Sequence, residues 1–201
     1  MGWIFFNASS GYEIVDIERT FIPQLIALTT FIAPATSALT FVLFEHIKIS
    51  TGSGFSPQDP GKIMNAILAG LVAITAPCNN VEMWAAAIIG VIGCSVYMLS
   101  TKLLHRFKID DPIEASQIHG FTGFWGCLAV GIFDLDVGLI YSGSFDQLQI
   151  QLVGATACMV WSMLFCYFFF SILSSIKRFR VAAFYEIIGI DLLMHASVHD
   201  L

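Results

Sequence analysis

Five long apolar stretches separated by short polar segments dominate this chain and limit what it can fold into. They lie near residues 21–44, 62–79, 84–104, 113–134 and 148–176, and a shorter one occupies residues 1–11. A helix that crosses a bilayer needs about 20 mostly apolar residues. Backbone amides in hydrocarbon must be satisfied within the segment, which a helix achieves, and these runs are far too long for barrel strands. Charged residues make up 12% of the chain, about half of the roughly 25% usual in a soluble domain. The fold class expected is therefore all-α: a polytopic transmembrane helix bundle over residues 1–180, with one partial span and five whole ones. A short polar tail occupies 181–201.

The opening residues, "MGWIFFNASSG", lack the basic region and small-residue cleavage site of a secretory signal. Phe6 stands where a myristoylation motif wants Ser or Thr. The chain opens inside an apolar segment, so the bundle is expected to be N-terminally incomplete. Cys78, Cys94, Cys127, Cys158 and Cys166 lie in or beside the apolar runs with no CxxC spacing. They read as small buried hydrophobes rather than as disulfides or a metal site. "STGSGFSPQDPG" (50–61) and "PCNN" (77–80) have turn chemistry.

Basic residues orient the bundle. The nine are Arg19, Lys48, Lys62, Lys102, Arg106, Lys108, Lys177, Arg178 and Arg180. With a cytoplasmic C-terminus, all but Arg19 fall on the cytoplasmic side, as positively charged loops do. Glu13, Asp16, Glu18, Glu82, Asp134, Asp136 and Asp146 then lie outside. Their field would concentrate cations at the outer surface, although ordinary solvated loops account for them equally well.

The segment "DDPIEASQIHGFTGFWG" (110–126) places an ionisable group in an apolar run. Asp111 can cap a helix, Pro112 suits its first position and Glu114 completes a capping box. Eight helical residues from Asp111 to His119 span roughly 12 Å, which puts His119 well inside a hydrocarbon core about 30 Å thick. An ionisable residue at that depth faces a protein interior or a cavity. In an α-helix His119 shares its face with Ala115, Ser116, Thr122, Gly123 and Gly126, small residues that let another helix approach. Neutral imidazole offers one donor and one acceptor, so His119 either solvates a small polar molecule or bonds across helices as a structural group. The chemistry of the residue leaves both open.

Trp3, Phe6 and Ser10 are spaced i, i+3, i+7 and share one helix face. Aromatic rings and a hydroxyl there could hold a small cation. A packing stripe with an interfacial Trp has the same spacing. No metal-ligand cluster, nucleophile elbow or paired intramembrane acids are present, so an enzyme is not expected, and neither is a cofactor, a metal or a nucleic-acid partner. His105, His195 and His199 read as solvated loop and tail residues.

In order along the chain, "GWIFFNASS", "NAILAGLVAITAPCN", "WAAAIIGVIG", "DDPIEASQIHGFTGFWGCLAVGIFD" and "FRVAAFYEIIGIDLLMHA" resemble segments of the Amt/Mep ammonium transporters. The tail has the Amt pattern rather than that of Rh-type relatives. The resemblance implies trimers of an eleven-span fold with a pore in each subunit, a cytoplasmic C-terminus, and coverage here of the sixth to eleventh helices. By the same resemblance His119 matches the second of a pair of pore histidines. Phe6 matches the inner of two gating phenylalanines, Ser10 the hydroxyl of an outer ammonium site, and Trp3 a nearby conserved aromatic. Asp111 matches the acidic residue at the start of the tenth helix.

The implied function is transport of ammonium or ammonia across a lipid bilayer, with methylammonium a candidate further substrate and the plasma membrane the expected location. The first pore histidine, the other gate phenylalanine and the outer tryptophan belong to helices that this chain does not contain. Phe5 and Ser9 stand where the family has glycines, Phe121 and Phe124 where smaller residues are common, and "AAFY" where the tail is mostly acidic. A second expectation is a non-conducting partner or regulatory subunit within homotrimers or heterotrimers, because the retained "EIIGIDL" belongs to a tail that contacts neighbouring subunits in the family.

Overall fold

The computed structural model describes residues 2–11, 22–50, 60–181 and 183–189. Its helices are α1 (Gly2–Ser10), α2 (Ile22–Ser50), α3 (Pro60–Thr75), α4 (Met83–Arg106), a π-helical turn (Ser116–Phe121), α5 (Thr122–Phe133), α6 (Leu139–Ser142), α7 (Asp146–Ser175) and α8 (Ala183–Ile188). The described residues form no strand. Ile22–Ile47, Met83–Arg106 and Asp146–Ser175 are long and apolar enough to cross a membrane, and Pro60–Thr75 is a shorter apolar helix. The chain divides into two units, Met1–Ala155 and Thr156–Leu201. Arg19, the acidic residues Glu13, Asp16 and Glu18, the turn 51–59, and His195 and His199 lie outside the described residues.

The first unit is packed through small side chains. Ala33, Ala66, Ala69, Ala73, Ala85, Ala86 and Ala129 are fully buried, while Phe31, Leu39, Leu43, Met64 and Leu99 are exposed. A water-soluble core has the reverse distribution. In lipid, burying a large apolar chain gains nothing over leaving it in the acyl phase, so close backbone approach through small residues sets the interface. Gly90 shows how close: an added Cβ would stand 2.1 Å from the carbonyl oxygen of Ala33 and 2.3 Å from Thr36 Oγ1. Gly126 does the same for α5 on α3, with Ala73 O at 2.8 Å.

Hydroxyls on α2 tie this helix to its neighbours. Ser37 donates to the Ala66 carbonyl on α3 at 2.6 Å, and Thr36 to the Ala87 carbonyl on α4 at 3.1 Å. Thr29 reaches the Cys78 carbonyl in the turn after α3 at 2.9 Å. Bonds of this kind contribute about 0.6 kcal/mol each within a membrane bundle. Asn7 of α1 is buried and donates its amide to Thr30 Oγ1 at 3.0 Å, which joins α1 to the same helix.

Two residues beyond α4 a lysine takes the conformation usually reserved for glycine. Lys108 has φ 55°. The Ile109 amide reaches back to Leu104 O at 3.0 Å and that of Lys108 to His105 O at 3.1 Å, the bond pair of a Schellman turn. In the second unit α7 stops the same way, with Lys177 at φ 55° and the Arg178 amide on Leu173 O at 2.9 Å. Beyond it Phe179 rests on Phe170 with ring centroids 5.2 Å apart, and Arg180 forks onto the Glu186 carboxylate at 3.1 Å. Cys78 and Cys94 are buried in the first unit, whereas Cys158 and Cys166 are exposed. The reading of every cysteine as a buried hydrophobe therefore fails for that pair.

Candidate functional site: the π-helical turn and its aromatic neighbour

The approach to His119 differs from a regular helix start. Asp111 does cap, but later than the sequence suggests: its carboxylate accepts the amides of Ala115 at 3.1 Å and Ser116 at 2.7 Å. Burial acts to raise this carboxyl, and the Ser116 and Ala115 amides outweigh it and hold the group below its ordinary value. The expected capping box does not form. Glu114 lies in the left-handed region, with φ 55°, and its carboxylate is turned to other partners. Helical rise begins at Ala115, so eight helical residues do not set the depth of His119.

Residues Ser116–Phe121 then form a π-helical turn. The Thr122 amide bonds to the Gln117 carbonyl, and so does Thr122 Oγ1, at 2.9 Å. A π-turn carries an extra residue and so rotates the helical faces on its two sides relative to each other. That rotation splits the expected small-residue stripe: Ser116 is exposed as His119 is, and Ala115 and Gly123 are intermediate. Thr122 and Gly126 are buried, with a Cβ at Gly93 lying 3.5 Å from Thr122 Cγ2. His119, Gly120 and Phe121 are exposed on the surface of the first unit.

On that surface His119 meets Trp3. The two rings are nearly parallel, 8° apart, with centroids separated by 6.4 Å. Trp3 is held from behind: its indole Nε1–H donates to Thr75 Oγ1 at 2.8 Å. Thr75 in turn donates its own proton to the Leu71 carbonyl at 2.8 Å. Phe6 lies one turn along α1 and is 60% exposed. Ser10 is exposed and donates to the Phe6 carbonyl at 2.7 Å. Among the described residues Phe6 and Ser10 share the helix of Trp3 but form no ring contact or hydrogen bond with His119.

A second polar group lies beside the π-turn. The Tyr97 hydroxyl and Asn65 Nδ2, the latter at 2.8 Å, both donate to Glu114 Oε2. Tyr97 is 2% exposed, so this carboxylate satisfies the hydroxyl of a buried residue. Next to it opens a cavity of about 360 Å³, lined in part by Lys62, Asn65, Asp111, Glu114 and Gln117. Sequence reasoning does not single out Thr75, Asn65 or Tyr97. Each is a polar side chain in a mostly apolar helix, and that pattern is the one signal the sequence offers for them.

A set of membrane-length helices packed through small residues defines an all-α polytopic membrane protein. The model of the Ammonium Transporter Family matches residues 1–199, and the chain belongs to that family. Ammonium transporter Amt2 of Archaeoglobus fulgidus is 31% identical over 209 residues, covering 98% of this chain and 42% of that protein. The solved Sensor Amt Protein has a TM-score of 0.81 at 33% identity, covering 97% of this chain and 46% of the other. Saccharomyces cerevisiae Mep2 has a TM-score of 0.76 at 25% identity, covering 89% and 41%. The chain thus spans less than half the length of these relatives.

Proposed function

We propose that this chain contributes one wall of a pore that conducts ammonium or ammonia across a membrane, with His119 the polar group the permeant meets in an apolar passage. The observation that carries this reading is the Trp3–His119 pair: two nearly parallel rings, the imidazole exposed and the indole half-buried, on helices that are otherwise largely apolar. An imidazole there offers one donor and one acceptor to a small guest. Phe6 and Ser10 on the same helix supply an exposed ring and a hydroxyl oxygen that can accept, suited to a small cation before it sheds its proton. The name of a relative, Ammonium transporter Amt2, supports the same substrate class.

The six apolar segments are taken as membrane-crossing, with Asp111 and the 181–201 tail on the cytoplasmic face of the plasma membrane and three subunits per assembly. The basic residues at the ends of α4 and α7 support that orientation. The test is growth of a cell lacking its own ammonium transporters on low ammonium, with the native polypeptide supplied. Restored growth that His119→Ala abolishes is expected. Growth independent of His119 would remove that residue from the pore.

A further inference from the structure

One hydrogen bond fixes the polar edge of the Trp3 ring beside His119. The indole has a single N–H, and that proton goes to Thr75 Oγ1 at 2.8 Å. A threonine hydroxyl also has one proton, and Thr75 uses it on the Leu71 carbonyl at 2.8 Å. The direction of both bonds is therefore fixed, with a lone pair of Thr75 Oγ1 aimed at the indole. Thr75 is the last residue of α3, and its hydrogen bonds go to Trp3 and Leu71 rather than to His119. Trp3 belongs to α1 and His119 to the π-turn, so the hydroxyl links a third element to the geometry of the other two. Without it nothing polar fixes the indole edge, and the 8° alignment of the rings loses its reference.

We propose that Thr75 is a positioning residue: its hydroxyl locks the Trp3 ring parallel to His119 and so sets the width of the passage beside the histidine. This rests on the pore reading above and adds a determinant of substrate size. A valine keeps the volume and branching of threonine but presents a methyl where the indole N–H needs an acceptor. The ring is then free to tilt, and the passage loses its discrimination between the permeant and its methylated homologue.

The test uses the native polypeptide in proteoliposomes, with ammonium and methylammonium flux measured per protein molecule. Thr75→Val is expected to change the methylammonium-to-ammonium ratio by about threefold or more, while Thr75→Ser, which keeps the acceptor, stays within twofold of wild type. In a Trp3→Phe background, which has no indole N–H, Thr75→Val is expected to have no further effect on the ratio. If Thr75→Val fails to reach the membrane, Thr75→Ala carries the same expectation. A Thr75 variant that lowers the amount of protein but keeps the wild-type ratio would overturn the proposal. So would an equal shift in the Trp3→Phe background. Absence of ammonium flux in the wild type would instead strike at the pore reading itself, so the two failures are distinguishable.

Discussion

Tyr97 gives its hydroxyl proton to the carboxylate of Glu114, across the interface between α4 and the start of the π-turn. Asn65 of α3 donates to the same oxygen at 2.8 Å, so one carboxylate joins three elements. Glu114 adopts φ 55°, a conformation that disfavours a residue with a Cβ by roughly 1 kcal/mol or more, and this convergence of donors holds it there. Glu114→Ala would leave the buried Tyr97 hydroxyl without an acceptor, a loss of about 1–3 kcal/mol. Tyr97→Phe removes both the donor and the need for it, and should cost less. A double-mutant cycle read by thermal unfolding in detergent should give a coupling of at least about 0.5 kcal/mol. Strictly additive losses would mean the contact carries no energy.

Gly90 lies against the backbone of α2, with Ala33 O 2.1 Å from where a Cβ would be. The opposing atoms are backbone, which cannot rotate away as a side chain can. Gly90→Leu should therefore cost more than the roughly 1–3 kcal/mol typical of overpacking and sharply reduce folded protein. Gly154 has open space around it, and Gly154→Ala serves as the control. Size-exclusion profiles of the two variants in mild detergent make the comparison. Equal recovery would contradict the close approach of α2 and α4.

Asp111 predicts a pH dependence. Its carboxyl lies below its ordinary value of 3.8 in the folded protein. A depressed acid stabilises the fold above its unfolded value, and that contribution is lost as pH falls through the lower folded value. Asp111→Ala should lower stability at pH 7 by about 1 kcal/mol, as loss of a helix cap does. The gap from wild type should narrow below about pH 4 as the wild-type carboxylate gains its proton. Melting curves of both proteins between about pH 3 and pH 7 decide it, and a gap that stays constant with pH would exclude the cap.

Ser37 and Thr36 test the hydroxyl contacts of α2 on its two sides. Ser37→Ala removes the bond to Ala66 O and Thr36→Val the bond to Ala87 O. Each should lower stability by about 0.6 kcal/mol, up to about 1.7. Because the bonds go to different helices, the two losses should add. Chemical denaturation in mixed micelles would measure them, with a synergy above about 1 kcal/mol counting against independent contacts.

The all-α class is legible because long apolar runs admit one solution in lipid, and the order of the segments from "GWIFFNASS" to the tail points to the family that the matched relatives establish. The environment of His119 is only partly legible. Counting at about 3.6 residues per turn puts Thr122 and Gly126 on its face, and the π-turn moves them into the core. That turn is fixed by Thr122 bonding to Gln117 and packing beneath Gly93, the second a contact between distant residues that no local pattern announces. Thr75 sits within an apolar stretch with no partner visible from its neighbours, since Trp3 is 72 residues away. Glu114 reads as a capping residue for the same reason: its true partners, Tyr97 and Asn65, come from other helices.

The most direct test of the pore reading is ammonium flux through proteoliposomes containing the native polypeptide, wild type against His119→Ala, normalised to protein in the bilayer. Wild-type flux well above that of empty vesicles is expected, with at least about a tenfold loss in His119→Ala, roughly 1.4 kcal/mol of barrier, and both proteins equally folded. Equal flux in the two would contradict a pore built around His119.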